Sequence, residues 1–142
     1  TRPNQDGALP DYRGGVSFAK GFGSLLGSES SGWYYETNGD GVYISRFDRD
    51  FIGYSQNRTG YTLRSPQAQF YWNHNITVDT KGQYWANYVE TGPGVRFRVG
   101  GLPKGLMFQA DFVRGIYLMT HGNPYGANYW DLRSGLWYAF TR

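Results

Sequence analysis

The chain has 142 residues, a length typical of one domain, and it contains 21 Gly, 13 Tyr, 9 Phe and 5 Trp. Glycine spread along the sequence excludes a helical bundle, because each interior glycine costs a helix about 1 kcal/mol relative to alanine. The net charge of +3 comes without runs of consecutive cations, so no nucleic-acid partner is expected. Cysteine is absent, which excludes disulfides and thiolate metal sites.

The first part of the chain predicts an irregular arm. Pro3 and Pro10 lie among polar residues, and period-two alternation begins only at Gly14. Residues 1–13 are therefore interpreted as an N-terminal arm, and residues 14–142 as one antiparallel β domain of about seven to eight strands. The start of the sequence lacks the apolar core of a signal peptide, and no run of 18 apolar residues predicts a transmembrane helix.

Runs of alternating residues separated by turn signals predict seven strands. In chain order these are 14–26, 32–47, 51–64, 68–80, 84–99, 105–119 and 128–142. The breaks between them are short and rich in residues that favour turns. Connections this short require antiparallel neighbours, since parallel pairs need long crossovers. The expected fold class is therefore all-β, an antiparallel meander.

Within the predicted strands, apolar and polar side chains alternate, so the two kinds project to opposite faces of a sheet. The residues predicted to face lipid are Phe70, Trp72, Ile76, Val78, Phe112, Ile116, Leu136 and Phe140. The residues predicted to line a polar lumen and to contact a ligand there are Glu36, Asn38, Asp40, Asn73, Asn75, Asp79, Glu90, Arg96, Arg98 and Asp111.

The length of the runs favours a membrane barrel. Globular strands average five or six residues, whereas a tilted strand that crosses a bilayer needs about 9–11. Aromatic residues near the ends of the runs, among them Trp33, Tyr34 and Trp137, are predicted to form interfacial girdles. Because single-chain bacterial barrels have even strand numbers, seven strands indicate a missed strand, a part of a larger barrel, or a barrel shared by several chains.

Two short segments interrupt this pattern. Residues 38–41 (Asn-Gly-Asp-Gly) are a strong hairpin signal, and residues 91–94 (Thr-Gly-Pro-Gly) would break the fifth strand. Each segment either splits its strand in two or forms a bulge or a set of small residues facing the lumen. We favour the second interpretation, because the split strands would be too short to cross a bilayer.

The residue types that carry chemistry do not form a catalytic or metal-binding motif. His74 and His121 are the only histidines and lack metal-ligand spacing, so no metal or cofactor is expected. Paired carboxylates offer a glycosidase hypothesis, but the same groups are expected to pair with arginines in a wet lumen. The carboxylates are Glu36, Asp40, Glu90 and Asp111, and the arginines are Arg58, Arg96, Arg98, Arg114 and Arg133. We therefore predict that the chain is not an enzyme.

Three stretches carry a family resemblance. They are GWYYETNGDGVYISRFDRDFIGYSQNRTGYTLR at 32–64, YWNHNITVDTKGQYWANYVETGPGVRFR at 71–98 and DLRSGLWYAFTR at 131–142. Together they resemble the C-terminal outer-membrane domain of the NfrA-type bacteriophage adsorption protein, and they are similar to the barrel ends of exopolysaccharide-export porins. The resemblance implies a bacterial outer-membrane barrel that acts as a surface receptor for a phage tail protein, or as a pore for a polar polymer such as exopolysaccharide.

The expected partners are therefore outer-membrane lipid, a polysaccharide or phage tail protein, and the rest of a longer chain or further copies of this one. The alternative is a secreted or periplasmic β-sandwich that binds carbohydrate with its aromatic residues. That alternative predicts two packed sheets, with strands split at residues 38–41 and 92–94.

Overall fold

The computed structural model describes residues 12–46, 49–65, 67–99, 106–124 and 126–138. Within these ranges seven strands form one antiparallel sheet, in which each strand lies next to its neighbours in sequence. The strands are β1 (Arg13–Gly23), β2 (Gly32–Ile44), β3 (Asp50–Leu63), β4 (Ala68–Asp79), β5 (Tyr88–Arg98), β6 (Leu106–Tyr117) and β7 (Asn128–Tyr138). The predicted all-β class and antiparallel meander are confirmed.

The sheet is not closed into a barrel within the described ranges. Strands β1 and β7 are its two edges, and no described strand pairs with the outer side of either. The described residues also provide no second sheet, so the fold does not match the β-sandwich alternative. No helix in this part of the chain is long and apolar enough to cross a bilayer.

Strand β2 runs without interruption through residues 38–41 and pairs with both neighbours in one constant register. Asn38 lies opposite Gln56, so the hairpin interpretation is wrong for this segment. There is no bulge either. Gly39 and Gly41 are on the opposite face from Asn38, and a side chain at Gly39 would collide with the Phe18 ring. These glycines therefore make room for aromatic rings on the neighbouring strands.

Strand β5 is likewise continuous through residues 91–94. Gly92 and Gly94 are on the same face as Glu90, which agrees with the expectation of small residues on the polar face. A Cβ at Gly94 would lie 2.3 Å from both the Tyr71 ring and Asp111 Oδ1. Glycine is therefore the residue that fits here, because any side chain would collide with Tyr71 and Asp111.

The start of the predicted fifth strand is wrong. Residues Tyr84–Ala86 form a 3₁₀ turn, and the strand begins at Tyr88. Asp79 organises this connection: its carboxylate accepts the amides of Gly82 and Gln83 at 2.7 and 3.0 Å and the Asn87 side-chain amide at 2.5 Å. These hydrogen bonds satisfy the backbone amides of Gly82 and Gln83, which lie outside the strands.

Two predictions involve residues outside the described ranges. Most of the predicted N-terminal arm, residues 1–11, lies there, and so does Phe140. Tyr12 is exposed, and β1 begins at Arg13, one residue before the predicted boundary.

The sheet is strongly curved, so that one of its faces is concave. The Arg96 guanidinium on β5 reaches the Glu36 carboxylate on β2 at 3.4 Å, although β3 and β4 lie between these strands. Neighbouring strands lie about 4.8 Å apart, so a flat sheet would hold the two strands too far apart for this contact. Most of the buried side chains of the described strands are on the concave face.

Candidate functional site

The concave face carries the polar residues that alternation assigns to it. Strand pairing places all ten predicted lumen residues on this face: Glu36, Asn38, Asp40, Asn73, Asn75, Asp79, Glu90, Arg96, Arg98 and Asp111. Five of them are buried, namely Asn73, Asn75, Glu90, Arg96 and Asp111, while Asp40 and Arg98 are exposed. Their role in contacting a ligand stays a prediction.

The convex face carries most of the exposed apolar residues. The described members of the predicted lipid-facing set are on this face, and their exposure ranges from 38% at Ile116 to 68% at Leu136. Trp72 and Phe112 are about half exposed as well, so these side chains do not meet in a dry interior. An exposed apolar face opposite a buried polar face is the reverse of the usual arrangement in a protein surrounded by water.

An ion-pair cluster joins three strands near one end of the concave face. Arg96 contacts both carboxylate oxygens of Glu36 at 3.4 Å, and Arg58 lies 3.7 Å from the same carboxylate. Arg96 also donates to Gln69 Oε1 at 3.2 Å. Because Arg96 is only 3% exposed, its charge depends on these acceptors.

Two aromatic rings cover this cluster. The Tyr71 ring lies 5.2 Å from the Arg58 guanidinium and 5.7 Å from that of Arg96. On its other side, Arg96 lies 5.2 Å from the Trp137 ring on β7. Such cation–π contacts are stronger where water is excluded. Tyr71, Tyr34 and Trp137 are all on the concave face, so the girdle prediction is wrong for Tyr34 and Trp137.

A second cluster surrounds Glu90 on β5. Arg133 binds this carboxylate through both terminal nitrogens, one of them at 2.8 Å, and also contacts Asp131 at 2.7 Å. The Tyr129 hydroxyl donates to Glu90 at 2.7 Å and Asn75 donates at 3.3 Å. Glu90 therefore has both oxygens engaged and is bonded to groups on β4 and β7.

Amide side chains extend the first cluster to Asp111. Asn73 accepts a hydrogen bond from Arg58 and donates to Asp111 at 2.8 Å. Gln109 donates to the other oxygen of Asp111 at 2.6 Å and accepts from Arg96. The predicted pairing of carboxylates with arginines holds for Glu36 and Glu90, whereas Asp111 is held by amides.

Two cavities remain along this network. One, of about 480 Å³, is lined from both edges of the sheet, by Ala19 and Gly21 on β1 and by Trp137 on β7. The other, of about 240 Å³, includes Asn75, whose Oδ1 has no hydrogen-bond partner among the described residues. Gln109 lines both cavities, so they adjoin along the concave face. The described residues contain no cluster of side chains that could hold a metal ion.

Sequence reasoning missed one feature of the convex face, a row of polar residues that runs across the strands. Its members in strand order are Lys20, Thr37, Asn57, His74, Thr91 and Arg114. Arg114 lies 5.7 Å from the Trp130 ring, so the expectation that it pairs with a lumen carboxylate is wrong. Alternation shows that Arg114 occupies an apolar position in its strand, but the row itself depends on the register between strands.

Sequence reasoning also missed Gln69 and Tyr71 as parts of the interior network. The signal that could have found them is the same alternation, since both share a face with Asn73. Comparisons with models of protein families, with curated proteins and with solved structures gave no match to this chain.

Proposed function

We propose that this chain forms part of the wall of a bacterial outer-membrane β-barrel. The observation that carries the proposal is the contrast between the two faces of one sheet. Leu132 and Trp33 on the convex face are 74% and 72% exposed, whereas Glu90 and Arg96 on the concave face are each 3% exposed. In water, an exposed apolar surface of this extent is unfavourable, while in a bilayer it is the surface that contacts lipid.

The position of the apolar residues along each strand supports the same proposal. On β1 the exposed apolar residues extend from Val16 to Phe22, interrupted by Lys20, and strand pairing places Phe22 level with Leu132 on β7. On β7 the run extends from Trp130 to Tyr138. The apolar band therefore shifts by roughly one residue per strand, which is the stagger expected when barrel strands tilt by about 35–45°.

The filled concave face favours a role as a surface receptor. Arg58, Arg96, Glu90 and Asp111 all have partners within the network, so the interior along these residues is occupied by side chains. A barrel wall with such an interior holds the connections between strands at the two membrane surfaces. We propose that these connections present a binding surface to a phage tail protein, the partner implied by the sequence resemblance.

The two adjoining cavities favour a second candidate, a path for a polar polymer such as exopolysaccharide. Amide side chains and the Trp137 ring line both cavities, and both kinds of group are common contacts for polar ligands. Passage along the concave face would require the contact between Arg96 and Glu36 to open. This requirement is the reason for placing the receptor role first.

Membrane residence is tested by replacing an exposed convex residue with a charge. On a water-exposed surface Leu132→Lys changes stability by at most about 0.5 kcal/mol, but facing lipid it costs about 2–4 kcal/mol near the bilayer centre. We expect the wild-type polypeptide to float with outer membranes in a density gradient and Leu132→Lys to be depleted from that fraction. Ser30→Lys, in the connection between β1 and β2, is the matched control and should float normally.

The outcome that contradicts membrane residence is a wild-type polypeptide that stays in the soluble fraction and a Leu132→Lys variant that is equally abundant there. The receptor role is tested separately, by measuring how tailed phages isolated on the producing strain adsorb to cells with and without the gene. We expect deletion to abolish adsorption of at least one phage and re-expression to restore it. Unchanged adsorption of every phage, together with liposome swelling in maltodextrin that depends on the protein, would favour the polymer path instead.

A further inference from the structure

We infer that an odd number of further strands of the same polypeptide lies between β7 and β1, antiparallel to both. This inference rests on the proposed membrane location, because an exposed sheet edge is tolerated in water and is unfavourable in lipid. It assigns a partner to the two edge strands, β1 and β7, which have no neighbour on one side among the described residues.

The direction of the strands shows why the number of further strands between β7 and β1 is odd. All six strand pairs are antiparallel, so β1 and β7, the first and the seventh, run in the same direction. Direct pairing of the two edges would be parallel, unlike every pair in the sheet. One inserted strand, or any odd number, runs opposite to both edges where it meets them and brings the total to the even number typical of single-chain bacterial barrels.

The hydrogen bonds between β1 and β2 show which backbone amides of β1 point toward the inferred strand. The Ser24 amide donates to the Trp33 carbonyl at 2.9 Å and the Ser45 amide to the Tyr12 carbonyl at 3.0 Å. Bonded pairs alternate along an antiparallel ladder, so the even-numbered β1 residues bond to β2 and the odd-numbered ones point away. We call the amides of Ser17, Ala19 and Gly21 the open-side amides of β1, and those of Phe18 and Lys20 its sheet-side amides.

The same argument applies to β7. The Tyr117 amide donates to the Ala127 carbonyl at 2.9 Å, so the odd-numbered β7 residues bond to β6 and the even-numbered ones point away. The open-side amides of β7 are those of Leu132, Ser134 and Leu136, and its sheet-side amides are those of Arg133 and Gly135. Both edges thus present a row of backbone groups with spacing suited to an added strand.

The side chains of the edge strands continue the pattern of the interior strands. Val16 and Phe18 on β1 project to the convex face and are 77% and 59% exposed. Leu132 and Leu136 on β7 project to the same face and are 74% and 68% exposed. Neither edge strand carries a proline, and the charged residues in the middle of these strands, Lys20 on β1 and Asp131 and Arg133 on β7, have partners within the sheet. The partner strands should therefore have the same alternation, apolar outward and small or polar inward.

The order of the sheet indicates the source of these strands. Every described strand lies beside its neighbour in sequence, so the strands that adjoin β1 and β7 are expected to belong to the same polypeptide. A second copy does not supply them. Its own edge strands would run antiparallel to β1 or β7 only if that copy were inverted, and barrel proteins in one membrane share one orientation.

Hydrogen exchange tests the inference on the full polypeptide extracted from membranes into detergent micelles. We expect the open-side amides of β1 and β7 to exchange more slowly than an unstructured peptide by on the order of a hundredfold, as paired strands do. The sheet-side amides of the same strands are the internal control and should be protected in every case. Open-side amides that exchange at the unstructured rate beside protected sheet-side amides would overturn the inference.

Engineered cysteines test the two alternatives that would also protect the edge amides. These are direct pairing of β1 with β7 and pairing between two copies of the chain. The chain has no cysteine, so Phe18→Cys can be combined in turn with Trp130→Cys, Leu132→Cys, Ser134→Cys and Leu136→Cys. We expect no disulfide from any combination, because strands separated by a third lie roughly 10 Å apart. The pair Phe18→Cys and Gly39→Cys, directly opposite across β1 and β2, is the positive control.

A disulfide between β1 and β7 would show direct closure, and disulfide-linked dimers of Phe18→Cys alone would show pairing between copies. Either result would overturn the inference. These readings report strand pairing whether or not the polypeptide is in a membrane. A failed membrane proposal, seen as wild-type protein in the soluble fraction, is therefore distinguishable from a failed inference about the edges.

Discussion

Arg96 on β5 contacts both carboxylate oxygens of Glu36 on β2, with β3 and β4 passing between them in the sheet. The contact therefore exists only because the sheet curves, and it connects strands whose backbones share no hydrogen bonds. We expect this pair to stabilise the curvature on which the separation of the two faces depends.

The first prediction concerns this ion pair. Arg96→Met leaves the Glu36 carboxylate with Arg58 alone, and removing one partner of a buried ion pair costs roughly 3 kcal/mol. Urea unfolding in micelles, followed by tryptophan fluorescence, measures the loss. The double variant Arg96→Met with Glu36→Met should recover only part of it, because Arg58 then loses the carboxylate with which it pairs. Arg98→Met, at an exposed position of the same strand, is the control, and an equal loss in that variant would contradict the prediction.

The second prediction compares two glycines on the concave face. Gly94→Ala places a Cβ 2.3 Å from the Tyr71 ring and Asp111, whereas a Cβ at Gly135 meets nothing within 4 Å. Overpacking of this kind costs typically 1–3 kcal/mol, so Gly94→Ala should lower the unfolding midpoint in urea and Gly135→Ala should leave it unchanged or raise it. Equal effects of the two substitutions would show that the packing around Gly94 is not tight.

The third prediction is a pH dependence in the connection between β4 and β5. Partial burial of Asp79 acts to raise its pKa, but hydrogen bonds from Asn87, Gln83 and Gly82 outweigh this effect and hold the pKa below its ordinary value. A carboxyl whose pKa is lower in the folded state stabilises the fold above its unfolded pKa, about 3.9. That stabilisation is lost as the pH falls through the folded pKa.

Thermal unfolding of the wild type and Asp79→Asn at pH 6 and pH 3 measures this contribution. We expect Asp79→Asn to be less stable at pH 6 and to lose less stability than the wild type between the two pH values. Asp40→Asn, which removes a carboxylate from an exposed strand position, controls for the change in net charge. A wild-type pH dependence that persists in Asp79→Asn would contradict the assignment to this turn.

The strands and their two faces were predictable from the sequence, because both follow from local alternation. A residue such as Asn73 needs only its immediate neighbours to show which face it occupies. The turn at Tyr84–Ala86 was not predictable in this way, since it depends on Asp79 accepting amides from the connection. Alternation continues formally through Tyr84 and gives no sign that the strand begins later.

The partners within the site were beyond the reach of local pattern. The sequence indicated that carboxylates pair with arginines, but Glu36 and Arg96 are 60 residues apart and meet through curvature. Gly39 gave a hairpin signal because glycine permits turns, whereas its role is to accommodate the Phe18 ring on the next strand. Both features depend on the register and curvature of the strands, which alternation does not define.

The central claim, that the convex face contacts lipid and the concave face does not, is tested most directly by quenching of single tryptophans. Variants that retain only Trp72, on the convex face, or only Trp137, on the concave face, are inserted into liposomes whose acyl chains carry bromine. We predict strong quenching of Trp72 and little quenching of Trp137. Equal quenching of the two, or an unquenched Trp72 in membrane-inserted protein, would contradict the account.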